Sequence, residues 1–445
     1  MHNTARRALN TPSMRATTPG SIPVPSLPNE RALLLTLAAV QFANILDFII
    51  MMPLGASIMK VFDISPREFS WLVAAYGTAA ALAGFVGGVF LDRFDRKKAL
   101  LVLFSGFTLA TLACALAPTY NTLLLARVLV GAFGGVAGSV VTAMVGDVIP
   151  PERRGRAMST VMSAFPLASI LGVPLALTLA NHFEWHAPFF LLTGLSLVIL
   201  IGAAKILPHV PSHRSERPAW EQMKAILVHP IHQRGFLLGG MLVFAGGCII
   251  PFTAPSMVAN MGISQSQLPL IYLVGGGCTC ISMPWLGRLA DRHDKLHVLI
   301  AATVPATIGV LILTHLGVVS LSTALVVSTL FFVGMSSRFP PTMAMITNSV
   351  EARYRGGFMS VISAIQQAAS GLATITAGLL VSSDATGRLI GYSRTGYVSI
   401  GAFFLTVWLG WRLRDIAPFA ARTPAVAHVA AACPPAAGPA ADALD

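Results

Sequence analysis

Apolar residues in this chain do not alternate with polar ones as they would on a half-buried helix or strand. They come in runs long enough to cross a bilayer, each on the order of 20 residues, separated by short polar segments. Six runs fall near 31–53, 69–91, 98–117, 121–147, 156–181 and 185–207, and six more near 234–258, 265–289, 296–316, 319–348, 357–383 and 395–413. A segment that is apolar on every side must be a helix buried in protein or in lipid. The pattern therefore predicts an all-α integral membrane protein with twelve transmembrane helices in two six-helix bundles, 31–207 and 234–414. Between the bundles, residues 208–233 are polar and carry Pro211, Pro218 and Pro230, which marks a linker. Within it, Trp220 to Val228 can form a short amphipathic helix on the membrane surface. Residues 1–30 and 415–445 are polar or Ala- and Pro-rich and read as disordered tails.

The two halves repeat one another. After the second run the chain reads Gly88-Val-Phe-Leu-Asp92-Arg93-Phe-Asp95-Arg96-Lys97-Lys98, and after the eighth Gly287-Arg-Leu-Ala-Asp291-Arg292-His-Asp294-Lys295. Arg154-Gly155-Arg-Ala-Met158-Ser159 is echoed by Arg355-Gly356-Gly-Phe-Met359-Ser360. Repetition at this scale means that one structural unit has been used twice.

Composition agrees with the pattern: 55% of residues are hydrophobic and 11% charged, with a mean hydropathy of +0.72. A soluble domain has roughly 25% charged residues. The formal charge of +12 could suggest nucleic acid, but its sources sit in loops on one side of the spans. Arg93, Arg96, Lys97, Lys98, Arg153, Arg154, Arg156, Arg292, Lys295, Arg353 and Arg355 fall on the side of the termini, whereas the opposite loops hold Lys60, Arg67, Arg388 and Arg394. Loops rich in Lys and Arg stay in the cytoplasm, so both termini are expected there, with anionic lipid headgroups as partners and no nucleic acid. Cys114, Cys248, Cys278 and Cys280 lie inside runs and read as apolar packing, with no metal site. No nucleotide-binding motif is present, so ATP is not the expected energy source and a proton gradient is the expected drive.

Together these features resemble the major facilitator superfamily, and more narrowly its bacterial twelve-span drug:proton antiporters and arabinose-efflux-like exporters. The similarity rests on the topology, the repeat and Gly-x-x-x-Asp-Arg-x-x-Arg-Lys after span two. It implies a secondary transporter of the bacterial inner membrane, working as a monomer by alternating access, without cofactor and not an enzyme. It also implies a conformational latch at Gly88, Asp92, Arg93, Arg96 and Lys97, with Asp291 and Arg292 as its second-half relic. Asp92 would face the start of span eleven at Gly356 and Gly357. Asp95 departs from the family, which has Gly at that position, and Asp294 repeats the departure.

Arg127-Val-Leu-Val130-Gly131 resembles the family's Arg-x-x-Gln-Gly, with Val in place of Gln. Gly172-Val-Pro174 loosely resembles the Gly-Pro motif of exporters in span five, where it would bend the helix. Charges inside spans mark functional sites. Asp47 and Arg127 each lie about six residues, roughly 9 Å, from the outer ends of their runs, so their depths match. In the family both spans line the cavity, which makes Asp47 the expected proton carrier and Arg127 its switchable partner. Asn44 shares a helix face with Asp47. Gln366 and Gln367 cannot share one, so at least one is expected at a neighbouring helix or the cavity, in a packing hydrogen bond or a substrate contact. Arg338, just before Pro340 and Pro341, is expected as a gate or surface anchor. The expected activity is proton-coupled efflux of a small amphipathic or neutral solute such as a drug or sugar. Uptake by symport, a transporter-like sensor and a membrane-embedded enzyme are the alternatives; no histidine falls in a span core to serve the last.

Overall fold

The computed structural model describes residues 30–90, 94–210, 219–351 and 354–417. Asp92, Arg93, Pro211 and Pro218 lie outside them. Spans one to six are Glu30–Ile50, Pro66–Phe90, Arg96–Ala115, Tyr120–Val148, Arg153–His182 and Ala187–Ile206. Spans seven to twelve are Pro230–Ala259, Gln265–Arg292, Lys295–His315, Leu321–Asn348, Arg355–Leu380 and Tyr392–Ile416. Eleven of these are long and apolar enough to cross a membrane on composition alone. The twelfth has the length, 25 residues, but Arg412 and its Tyr, Trp and Gly residues dilute its hydropathy. Span seven starts at Pro230, earlier than the sequence pattern places it, because that proline occupies the first helical turn, where its missing N–H is no loss.

Proline and glycine interrupt several spans at positions related by the repeat. Span one ends at Ile50, turns through Met51–Leu54 around Pro53, and restarts as a short helix, Gly55–Phe62. Span seven likewise stops at Gly247 and restarts as Ile250–Ala259 behind Pro251. A proline cannot donate to the preceding turn, so a helix breaks or restarts beside it. These two short helices meet at the end of the molecule away from the termini. There Gly55 fits against Pro255 and Phe69, and the rings of Phe69 and Phe252 lie 6.0 Å apart. Span ten is broken at Arg338, ahead of Pro340 and Pro341.

Bundle contacts follow the repeat: span two packs on four, three on four and six, seven on eleven and twelve, and nine on ten and twelve. The bundles touch through spans two and eleven and through five and eight. Their contacts gather at the far end. Ser57 Oγ donates to Gln265 Oε1 (3.1 Å), Asn181 Nδ2 donates to the Gln265 carbonyl (3.0 Å), and Gly77 lies against the Gln367 carbonyl. Toward the termini the bundles part. Gly84 follows Gly77 on the same face of span two, yet a side chain there would meet nothing within 4 Å; the same holds for Gly287, on the face of span eight where Gly276 touches Ser169. Among the described residues the bundles are packed together at the far end and separate toward the end where Glu30 and Ala417 lie.

Linker helix Ala219–Val228 is docked as well as amphipathic. Met223 and Ile226 enter an apolar cluster with Phe236, Phe358 and Leu413 at the base of the second bundle. His232 belongs to this base: it is buried in the first turn of span seven, its Nδ1 3.0 Å from the Ile226 carbonyl. Span seven begins earlier than its apolar run, so His232 joins the helix at its first turn, outside the span core. A two-stranded hairpin, Ser382–Ser383 with Leu389–Ile390, joins spans eleven and twelve and escapes the helical pattern altogether. Asn260 ties it to span seven by bonding both the N–H and the carbonyl of Leu389. Asp384 accepts from Thr386 Oγ1 and from the N–H of Arg388, which holds its carboxyl below the usual range and fixes the turn.

Asp95 and Asp294 acquire a physical account. Each is the N-cap of the span that follows: Asp95 Oδ1 accepts from the N–H of Lys98 (2.9 Å), and Asp294 Oδ1 from Leu296 (2.9 Å) and His297 (3.3 Å). The first N–H groups of a helix have no partner within it, and a carboxylate there also meets the positive end of the helix dipole. Glycine can turn the chain at that point but satisfies nothing. Asp95→Ala and Asp294→Ala should each lower stability by about 0.5–2 kcal/mol, seen as a lower thermal unfolding midpoint, with Asn largely restoring it.

Candidate functional site: a buried ion pair in the first bundle

Span one presents Gln41, Asn44 and Asp47 on one stripe, and span four presents Gly138, Gly134 and Arg127. Two glycine faces on span four make the meeting possible. Gly131 and Gly135 bring its backbone onto Tyr76 and Ala80 of span two. On the adjoining face, Gly134 leaves room for the Tyr76 hydroxyl, Phe107 and Asn44, and Gly138 leaves room for Gln41. Small residues draw helices close enough for polar side chains to reach across.

Asp47 and Arg127 are both fully buried, and Arg127 Nη1 donates to Asp47 Oδ2 at 2.6 Å. Thr111 of span three donates to Asp47 Oδ1 at 3.5 Å, and the Arg127 guanidinium stands 5.1 Å from the centre of the Tyr76 ring. Snorkelling of Arg127 to the surface is thereby excluded. Arg127 Nε and Nη2, both amide atoms of Asn44 and Gln41 Oε1 have no hydrogen-bond partner among the described residues. A pair that leaves donors unused in a low-dielectric interior is held less firmly than a fully bonded one, and can exchange partners. Val130, standing where the family has Gln, is buried among apolar residues.

Gln366 and Gln367 are not brought to this pair. Gln366 Nε2 points to Met343 Sδ at 3.6 Å, a weak bond, while Gln367 serves the packing of span two through its backbone. In span five the bend is a π-helical turn, Ala168–Gly172, and Gly172 makes room for Leu46 of span one; Pro174 starts the next helical stretch.

The charged motif after span two and its second-half relic are described in part. Gly88 lies within span two, Lys97 in the first turn of span three, and Asp291 and Arg292 are exposed at the end of span eight. Arg96 Nε donates to Asp147 Oδ2 at 2.9 Å, joining spans three and four, and the Arg96 N–H bonds the Val210 carbonyl at the start of the linker. Asp147 was missed in the sequence, although an acid at the very end of an apolar run is a signal of its own. Arg338 is not a surface anchor: it is fully buried, its guanidinium 3.8 Å from the centre of the Phe403 ring. Its sequence position, beside two prolines, describes a helix break and says nothing of which way the side chain turns.

A family model described as the Major Facilitator Superfamily matches residues 37–374 and 235–434. The chain belongs to the major facilitator superfamily. It is similar to a Bacillus subtilis protein, the uncharacterized MFS-type transporter YceJ, with 24% identity over 379 residues, covering 83% of this chain and 94% of that one. Among solved structures, the D-xylose-proton symporter superposes with a TM-score of 0.68 at 15% identity, over 86% of this chain and 97% of the other. The inward-facing, occupied form of a bacterial homolog of the human lysosomal transporter Spinster gives 0.67 at 15%, over 88% and 98%. The protein is therefore a multi-pass membrane transporter of small molecules, not an enzyme, with the twelve-helix fold of secondary transporters that work by alternating access.

Proposed function

We propose that this superfamily member is a proton-coupled exporter of a small amphipathic or neutral solute in a bacterial plasma membrane, with both termini in the cytoplasm. The observation that carries the reading is the Asp47–Arg127 pair, an acid and a base buried at one depth in the helices that frame the pathway. An intramembrane carboxylate held by a partner that can be drawn away takes up a proton when the pair opens and gives it back when it closes, which couples proton movement to rocking of the bundles. With Lys- and Arg-rich loops inside, the open end faces the cytoplasm, where an exporter collects its solute. The unpaired amide of Asn44 and the unpaired Gln41 Oε1 amid apolar walls favour a solute with few hydrogen-bonding groups over a charged one. The latch at Asp92, Arg93 and Arg96 would bias the two end states.

A symporter would use the same pair in the opposite direction, and the D-xylose-proton symporter shares the fold. Direction is decided in cells lacking their own pumps, loaded with ethidium, sugars or nucleosides. An exporter lowers accumulation of at least one of them, and a protonophore removes the effect. Accumulation raised by the proton gradient would instead establish uptake.

A further inference from the structure

Span twelve closes on two tryptophans and an arginine that proton coupling at Asp47 and Arg127 leaves unused. Leu409 and Leu413 turn inward, into the apolar cluster at the base of the second bundle. Trp408, Trp411 and Arg412 consequently face outward, all three exposed. The Arg412 guanidinium lies 5.4 Å from the centre of the Trp408 ring and 5.9 Å from that of Trp411. A second arginine comes to the same place. Spans seven and twelve run side by side, and Arg234 Nη1 donates to the Arg412 carbonyl at 3.1 Å. Arg234 sits one turn inside Pro230, where span seven starts, and Arg412 one turn inside Ile416, where span twelve stops, so both lie about 6 Å into their helices. Neither has a carboxylate within ion-pair distance among the described residues; Asp415, exposed nearby, pairs with neither. Deeper along the same two helices, Leu237 and Leu405 are exposed. Two cations without counter-charge therefore stand at the rim of the spans, beside indoles of the kind that settle at the boundary between headgroups and hydrocarbon.

We propose that Arg234 and Arg412 form a binding site for one anionic phospholipid, its phosphodiester on the two guanidinium groups and an acyl chain along Leu237 and Leu405. Charge complementarity identifies the occupant. Stacking on indoles uses the face of a guanidinium and leaves the N–H edge free, and that planar fork matches the oxygens of a phosphate. A zwitterionic phosphatidylcholine would bring a third cation to a place that already holds two. A free phosphate would meet the charge but leave the leucines uncovered. The site is a fixed one on two helices, unlike the general pull of basic loops on an anionic surface, and it does not depend on the direction in which solute moves.

The test reconstitutes the purified full-length protein in phosphatidylcholine vesicles that contain a minor fraction of phosphatidylglycerol or phosphatidylcholine brominated on its acyl chains, since bromine quenches the tryptophans it touches. Brominated phosphatidylglycerol should associate more strongly than brominated phosphatidylcholine by about twenty-five-fold, at about fivefold for each arginine near the surface. Trp408→Phe with Trp411→Phe should remove the excess quenching, because these two report the site while Trp71, Trp185, Trp220 and Trp285 supply the background. Arg234→Gln with Arg412→Gln, which keeps both reporters, should make the two lipids quench equally. Should that pair of changes prevent folding, Arg412→Gln alone should lower the preference about fivefold. Lys98→Gln with Arg156→Gln takes the same charge from exposed positions of the first bundle and should leave the preference unchanged. Equal quenching of the wild type by both lipids overturns the proposal, as does an excess that survives loss of the two arginines or of the two tryptophans, or one that falls with Lys98 and Arg156. Displacement of the brominated lipid by inorganic phosphate at constant ionic strength would overturn it in favour of a free phosphate.

Discussion

Asp47→Asn should reduce uphill transport to the level of protein-free vesicles and remove its pH dependence, while the protein still folds and reaches the membrane. Asparagine keeps the size of the side chain and an oxygen that can accept from Arg127 Nη1, so the contacts with Thr111 and span four survive. It cannot carry a proton. Downhill exchange of substrate across the bilayer should persist, because rocking of the bundles needs the helices and not the charge. Either variant leaves one buried charge without its counter-charge, at a cost of about 3–5 kcal/mol, but only Asn keeps an acceptor for its partner and the side chain's volume, so Arg127→Ala should show the larger loss of expression along with lost transport. The pair of variants separates coupling from folding. An Asn variant that still concentrates substrate with the wild-type pH profile would rule out Asp47 as the carrier.

Gly131→Ala and Gly84→Ala should move stability in opposite directions, although both replace a helical glycine. A methyl group at Gly131 runs into the Tyr76 carbonyl and Cα, which are backbone and cannot swing aside. Overpacking of this kind costs about 1–3 kcal/mol, and here it also pushes Tyr76 and Arg127 out of register, so transport should fall with the unfolding midpoint. At Gly84 a methyl group meets nothing within 4 Å, and alanine is the better helix former by about 1 kcal/mol. The midpoint should rise or stay level. A Gly131→Ala protein as stable as the wild type would show that spans two and four are not packed backbone to backbone.

Several features were legible in the chain because the bilayer constrains it so strongly. Backbone groups in lipid must bond within their own helix, so twelve long apolar runs admit one class of architecture, and repeated loop motifs divide it into halves. Depth was legible too, since residues from a helix end convert directly into ångströms; this is why Asp47 and Arg127, counted to the same level, meet at 2.6 Å. The capping role of Asp95 and Asp294 was written in the sequence as an acid ahead of an apolar run, but comparison with a family glycine drew attention to what was absent instead of what the carboxylate does.

Tertiary structure alone decided azimuth and spacing. Arg338 and Arg127 look alike in sequence, each one arginine in an apolar run; packing gives Arg127 a carboxylate and turns Arg338 onto Phe403, with no counter-charge among the described residues. Arg96 finds Asp147 because spans three and four happen to adjoin, and Gln366 lies away from the ion pair although its polarity suggested the cavity. Which end is closed is likewise invisible along the chain: Gly77 and Gly84 share a helix face, and only the packing of span eleven against span two shows that one is covered and the other is not. Hydrophobicity sets how deep a residue sits, whereas the neighbours it meets depend on how helices pack side by side, to which the apolar pattern is blind.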